Sequence, residues 1–442
     1  MLLFAFVLGI ALLLFLILKL RIQAFLALLM SAMVVGILAG LDAKALIQTV
    51  QQGMAGTLGF VATVVGLGAM FGAILEHSGG TRAISDFLLK KLGEKKSPLA
   101  LMLSGLIIAI PVFFDVAFII LVPLVYALQR KTKKSLLLYA IPLLSGLAIA
   151  HAFIPPTPGP VVVADMIGAD IGWVILIGII TAIPTALVSG LWFGRHISKK
   201  IHVMAPKVEK SSVTMAHIPP VSAVFLMVSL PIVLIVLNTV VQNNWIPIEN
   251  RTFKDMVALL GHPFSALILA NVLAWYFLGI RKGFTKKQLH DITTKSLAPA
   301  GTIILLTGAG GVFKQVLTDT GAGKVLAISL QELGFPILVF AFLAALLVRV
   351  IQGSATVAMI TAAGLVAALL ENLTLSAGQL ACIVIAVASG ASMLSHVNDS
   401  GFWLVSQYLG LNEKQTFRSW TMMTVWLGLV GFAVVSLLYP FF

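Results

Sequence analysis

The sequence predicts an all-α polytopic membrane protein made of two inverted-topology repeats, with about ten transmembrane helices, two re-entrant hairpins and broken helices near the midplane. Three observations carry that prediction. Of 442 residues, 60% are apolar and only 10% charged, with a mean hydropathy of +1.07, whereas a soluble domain carries roughly 25% charged residues. Apolar runs of about 18 residues or more, enough to cross a hydrocarbon core of roughly 30 Å, recur along the whole chain. Finally, the two halves share motifs yet distribute Lys and Arg in opposite senses.

Taken in order, spans are expected near residues 3–20, 22–41, 57–76, 137–158 and 172–194, then 219–241, 258–280, 299–318, 377–398 and 419–440. The run at 3–20 reads as a retained span rather than a leader. It is too long, Lys19 and Arg21 follow it, and no small-residue cleavage site appears. Two longer apolar stretches, 98–129 and 336–370, are interrupted in the middle by Pro111-Val-Phe-Phe-Asp115 and Gln352-Gly-Ser-Ala-Thr356. Each has the length of two half-depth helices, hence a re-entrant hairpin. The segments 80–96 and 284–295 are basic and amphipathic and read as interfacial helices.

Charge placement tests the hairpins. Lys90, Lys91, Lys95 and Lys96 precede the first, and Arg130, Lys131, Lys133 and Lys134 follow it. Both flanks are therefore cytoplasmic by the positive-inside rule. Glu332 and Glu371 flank the second, whose ends read as outside. With both termini outside, only Lys44, Arg251, Lys254 and Lys324 fall outside, while Lys314 and Arg349 lie within apolar segments. Orientation thus accounts for most of the net charge of +13, which otherwise suggests nucleic acid.

The halves also match in sequence. Gly66-Leu-Gly-Ala-Met-Phe71 corresponds to Gly308-Ala-Gly-Gly-Val-Phe313, Asp115-Val-Ala-Phe118 to Thr356-Val-Ala-Met359, and His151 to His396, at an offset of about 240–245 residues. Residues 1–195 form the first repeat, 196–218 a cytoplasmic linker, and 219–442 the second repeat. Inverted repeats with broken helices are the architecture of secondary carriers, which hold substrate near the midplane.

Few ionisable residues sit at depth: Asp115, His151, Arg349, His396 and Asp399. A charge there costs at least about 2.5–3.5 kcal/mol on insertion scales, so each needs a partner or an aqueous path. Two hairpin tips meeting near the midplane would aim free N–H groups at an anion. Phe114, Asp115, Thr157, Gly353, Ser354, Thr356 and Asn398 are the expected substrate-facing residues. Arg349 either grips a substrate carboxylate or pairs with Asp115, Asp399 or backbone carbonyls. Asp115, His151, His396 and Asp399 are the candidates for coupling. The breaks at 151–160 and 395–401 leave carbonyls without helical donors, so a proton or a sodium ion both suit them.

Other chemistries find no support. One cysteine, Cys382, permits neither an intrachain disulfide nor a cysteine-rich metal site. No P-loop supports ATP-driven transport, and no His-Glu-x-x-His or Gly-x-Ser-x-Gly motif suggests a hydrolase. Gly308-Ala-Gly-Gly resembles a dinucleotide loop only faintly and reads better as a close-packing helix face. No cofactor, metal or nucleic-acid partner is expected.

Several segments together resemble the gluconate:proton symporter family of bacterial permeases: Gly56-Thr-Leu-Gly59, Gly66-Leu-Gly-Ala-Met70, Phe113-Phe-Asp-Val-Ala-Phe118, Ile154-Pro-Pro-Thr-Pro-Gly-Pro160, Gly308-Ala-Gly-Gly-Val-Phe-Lys314, Gly353-Ser-Ala-Thr-Val-Ala358 and Ser395-His-Val-Asn-Asp-Ser-Gly401. The resemblance spans nearly the whole chain. It implies proton-coupled uptake of gluconate or a related hydroxy acid, an elevator-type carrier fold in the inner membrane, and a homodimer. Two positions depart from many members: Asp115 where Glu is common, and Thr157 where His is common. The family also carries D-serine and idonate.

Overall fold

In a computed structural model, residues 2–206, 219–242, 248, 250–321, 325, 336–370, 373–396 and 399–442 are described. The expected linker is thus described only up to residue 206. Every regular element among the described residues is helical.

The first half runs α1 (Leu2–Leu18), α2 (Ala24–Leu38), α3 (Ala43–His77), α4 (Gly80–Leu92), α5 (Ser97–Ile108), α6 (Phe114–Thr132), α7 (Leu137–Phe153), α8 (Pro158–Ile167), α9 (Ile171–Thr185) and α10 (Phe193–Lys200). The second runs α11 (Val221–Gln242), α12 (Arg251–Gly261), α13 (Pro263–Ala274), α14 (Lys286–Asp319), α15 (Ile337–Gln352), α16 (Ala355–Leu370), α17 (Ala377–Ser392), α18 (Ser400–Leu409), α19 (Glu413–Thr416) and α20 (Met422–Leu438). Seven helical stretches among the described residues are long and apolar enough to cross a membrane. Four shorter apolar helices, including α15, α16 and α17, accompany them.

Four expectations need correction. The segment 284–295 is not a separate interfacial helix. It forms the first turns of α14, which a Thr285–Gln288 capping box starts, so the helix is 34 residues long rather than spanning 299–318. Its counterpart α3 likewise starts early, where the Asp42 carboxylate accepts the Ala45 N–H at 2.8 Å. The span expected at 258–280 is split, because His262 caps a new helix with Pro263 at its first position. The span expected at 137–158 ends at Phe153, where three prolines within residues 155–158 deny the helix its donors.

α3 packs along α14, α5 against α7, and α15 against α17. The last two contacts are close because one helix presents glycine. A Cβ on Gly146 would sit 2.2 Å from the Met102 carbonyl oxygen, and one on Gly390 would sit 2.1 Å from that of Phe342. Small residues let backbones approach where lipid offers no hydrophobic drive. Between α9 and α10, and between α19 and α20, the helix widens into π turns at Ala186–Trp192 and Phe417–Thr421.

Candidate functional site

Two helix pairs, α5/α6 and α15/α16, are each joined by a short non-helical segment, here called a tip. The tip of α15/α16 is closed by Gly353, whose φ of +88° is the left-handed conformation that L side chains rarely adopt. Arg349 occupies the last turn of α15, where a cation complements the helix dipole. It is the one fully buried charged side chain among the described residues, 4% exposed. One Nη donates to the Gly353 carbonyl, and the other donates to Asp399 Oδ2 at 2.5 Å. Its buried Nε has no partner.

Asp399 is the N-cap of α18 and accepts the Gly401 N–H at 3.0 Å. Its Oδ2 also accepts from the Ser395 hydroxyl. Ser395 is gripped in turn by the π turn before α20: Trp420 Nε1 donates to its Oγ at 2.6 Å, and the Thr421 hydroxyl donates to its carbonyl at 2.5 Å. Thr424 Oγ1 accepts the Ser395 N–H at 3.1 Å. His396 closes the arrangement by donating from Nε2 to the Val350 carbonyl at 2.9 Å, which ties the break back to the tip.

The tip of α5/α6 is built differently. Phe113 leads into α6, and Asp115 lies exposed in that helix's first turn, where an acid is favoured. The Phe114 ring lies 5.5 Å from that of Trp420, tilted by 37°, and the Phe113 ring lies 6.2 Å from that of His151. The two halves therefore meet at Phe114 and Trp420. Asp115 and Asp399 lie within electrostatic reach of one another. His151 lines a small cleft with Gly68, Pro111, Phe113 and Pro156, and its Nδ1 is buried without a partner.

Of the residues singled out from sequence, the structure gathers Phe114, Asp115, Arg349, Gly353, His396 and Asp399 around these tips. Ser354 and Thr356 sit half-buried at the start of α16. The hydroxyl of buried Thr157 is directed back to the Ile154 carbonyl at 2.7 Å, inside its own break. Asn398 lies outside the described residues. Ser395, Trp420, Thr421 and Thr424 were not singled out as site residues. A serine opening the expected break Ser-His-Val-Asn-Asp was the available signal, whereas tryptophan in an apolar span reads as an interfacial anchor. Lys314, expected only as a charge in an apolar run, donates to the Met166 carbonyl at the end of α8 at 2.5 Å.

Chemically, the arrangement offers one guanidinium, two carboxylates and two unwound breaks. It includes no nucleophile–base pair, and no His/Cys/Asp/Glu cluster able to hold a metal occurs among the described residues. Comparison with known proteins agrees with a carrier. Residues 1–440 match the model of the GntP family permeases. The low-affinity gluconate transporter of Escherichia coli is 41% identical over 431 residues, covering 97% of this chain and 96% of its own. The gluconate permease of Pseudomonas aeruginosa is 36% identical, covering 96% and 94%. The Gnt-II system L-idonate transporter of E. coli is 33% identical, covering 96% and 95%. Among solved structures, the YdaH transporter of Alcanivorax borkumensis superposes with a TM-score of 0.66 at 14% identity, over 91% of this chain and 90% of that one. The chain belongs to the GntP permease family, and is a membrane transporter of a small molecule rather than an enzyme.

Proposed function

We propose that this permease takes up gluconate or a closely related sugar acid or hydroxy acid across the inner membrane by proton-coupled symport, with elevator-type alternating access. The observation that carries the reading is the Arg349–Asp399 pair. A buried guanidinium already holds a carboxylate at 2.5 Å through one Nη beside an unwound tip, so a substrate carboxylate can take the same place. Relatives that are 33–41% identical bear the names of gluconate and L-idonate transporters.

In this mechanism a proton neutralises Asp399, releasing one Nη of Arg349 to the incoming anion. Proton and anion enter together, and the net charge of the site is unchanged. Without the proton, the anion would face Asp399 and Asp115 with a single cation between them. Asp115, at the opposite tip, takes part in the same proton exchange, and His151 and His396 hold the two breaks against their tips. Ser354, Thr356 and Asn398 supply hydroxyl and amide groups to the polyol chain. Within the site, sodium could replace the proton only by using the carbonyls of the breaks.

The proposed architecture has both termini outside and two inverted repeats, 1–195 and 219–442. Each contributes one re-entrant hairpin, α5/α6 and α15/α16. Two copies associate as a homodimer. Uptake of labelled gluconate into proteoliposomes under an imposed pH gradient tests the reading. Accumulation, with L-idonate and other hydroxy acids competing, is the expected result. Uptake under a sodium gradient alone would replace the coupling ion. Equilibration without accumulation would replace the symporter by a passive channel.

A further inference from the structure

A second cavity, of about 260 Å³, lies between the C-terminal end of α3, the first turns of α14 and the α5/α6 tip. It shares Ala69, Pro111, Val112 and Phe113 with the cleft that holds His151, so it is the next compartment along the same tip. From one side α3 contributes Ala73, Glu76 and His77, and from the other α14 contributes Asp291, Ile292, Lys295 and Ser296. None of the three ion pairs formed among the described residues involves these charged groups. The tip is pressed against α3 here, since a Cβ on Gly72 would sit 2.0 Å from the Pro111 carbonyl oxygen. Glu76, Asp291 and Lys295 lie far along the chain from Arg349, and none of the site residues described above lines this cavity apart from the tip itself.

We infer that this cavity is a second binding station for the transported acid, selecting open-chain polyhydroxy acids over simple carboxylates. The inference rests on the reading of the chain as a sugar-acid carrier. Lys295 pairs with the carboxylate, a charge-assisted contact of the stronger kind. Glu76 and Asp291, which as carboxylates only accept, take the hydroxyls of the chain. The alanine, proline and isoleucine surfaces cover the carbon backbone, the usual division of labour in a small-molecule pocket. An acid without hydroxyls would bring its charge to two carboxylates and donate nothing to either. With two carboxylates to one lysine the station holds its anion weakly, as a compartment that must pass its cargo on requires.

The test replaces the one cysteine, buried Cys382, by serine and introduces Ser296→Cys on the cavity wall, reading the rate of labelling by a small cationic thiol reagent in proteoliposomes. Gluconate is expected to slow labelling at least fivefold, while hexanoate at the same concentration leaves it unchanged. Adding Lys295→Gln is expected to raise the half-protecting gluconate concentration about tenfold. Ala73→Cys on the opposite wall repeats the measurement if Ser296→Cys fails to fold. Labelling indifferent to gluconate overturns the station, as does protection that Lys295→Gln does not shift, because protection from a distant conformational change needs no lysine here. If either occurs while pH-driven uptake by the unmodified protein persists, the carrier reading stands and only the station falls.

Discussion

The two tips carry the same parts in different electrical states. At the α15/α16 tip, Arg349, Asp399, Ser395, Trp420 and His396 are joined in one network, and every charge there has its counter-charge within reach. At the α5/α6 tip, the corresponding break and histidine are present, but among the described residues Asp115 forms no ion pair and His151 Nδ1 has no partner. The second tip is thus a closed, compensated site. The first is an open one, with polar capacity left to a proton, water or cargo. On the proposed mechanism the closed tip takes its cargo only in exchange for Asp399, so the proton that releases Asp399 from Arg349 opens the site.

Removing the guanidinium should break the comparison most severely. Arg349→Gln leaves Asp399 without its counter-charge, a loss of about 3–5 kcal/mol for a buried pair stripped of one partner. Thermal unfolding in detergent should fall accordingly, and gluconate uptake should vanish. Adding Asp399→Asn to that variant should restore much of the stability and none of the uptake. Recovery of transport by the double variant would show that the pair is structural only.

Asp115→Asn addresses the open tip. Because the carboxylate is exposed and lies outside the α15/α16 network, stability should change by less than about 0.5 kcal/mol, as at an ordinary surface site. Uphill accumulation should disappear while gluconate–gluconate counterflow remains. Counterflow lost along with accumulation would make Asp115 a substrate ligand rather than a coupling group.

Two smaller effects sharpen the contrast. Gly353→Ala forces a Cβ into a left-handed conformation, at about 1–2 kcal/mol, and severalfold slower uptake should accompany the lowered melting temperature. Trp420→Phe deletes the Nε1–H that holds Ser395 and keeps the ring beside Phe114. Its cost should be about 0.5–1.5 kcal/mol, the net worth of one hydrogen bond. An equal or larger effect from Phe114→Leu would mean that the ring contact between the halves matters at least as much as the hydrogen bond within the second one.

Much of this was legible in the sequence. Pro111-Val-Phe-Phe and Gln352-Gly-Ser marked both tips, because proline and glycine cannot continue a helix there. Likewise Pro155-Pro-Thr-Pro158 and His396-Val-Asn-Asp399 marked the breaks. Arg349 stood out because an arginine in an apolar run needs a reason. What resisted was the register of long-range partners. Nothing in the local pattern of Arg349 states that Asp399 rather than Asp115 will meet it, since that choice is made by how α15 packs on α17. Nor did hydropathy see the first turns of α14. A window tuned to membrane spans discards Lys286-Lys-Gln-Leu-His290, although Thr285 and Gln288 announce the helix start. The cavity beside Glu76 and Lys295 was hidden for the same reason, being assembled from residues more than two hundred positions apart.

The central claim is that substrate and Asp399 compete for Arg349 and that a proton decides between them. Gluconate binding to the purified protein, titrated calorimetrically from pH 5 to 8 in wild type and in Asp399→Asn, tests it most directly. In the wild type, affinity should be highest at low pH and weaken as pH rises, approaching about tenfold per unit once the linked proton is lost. In Asp399→Asn, which mimics the neutral carboxyl permanently, affinity should be high and flat across that range. The same slope in both proteins would contradict the account and place the coupling proton elsewhere.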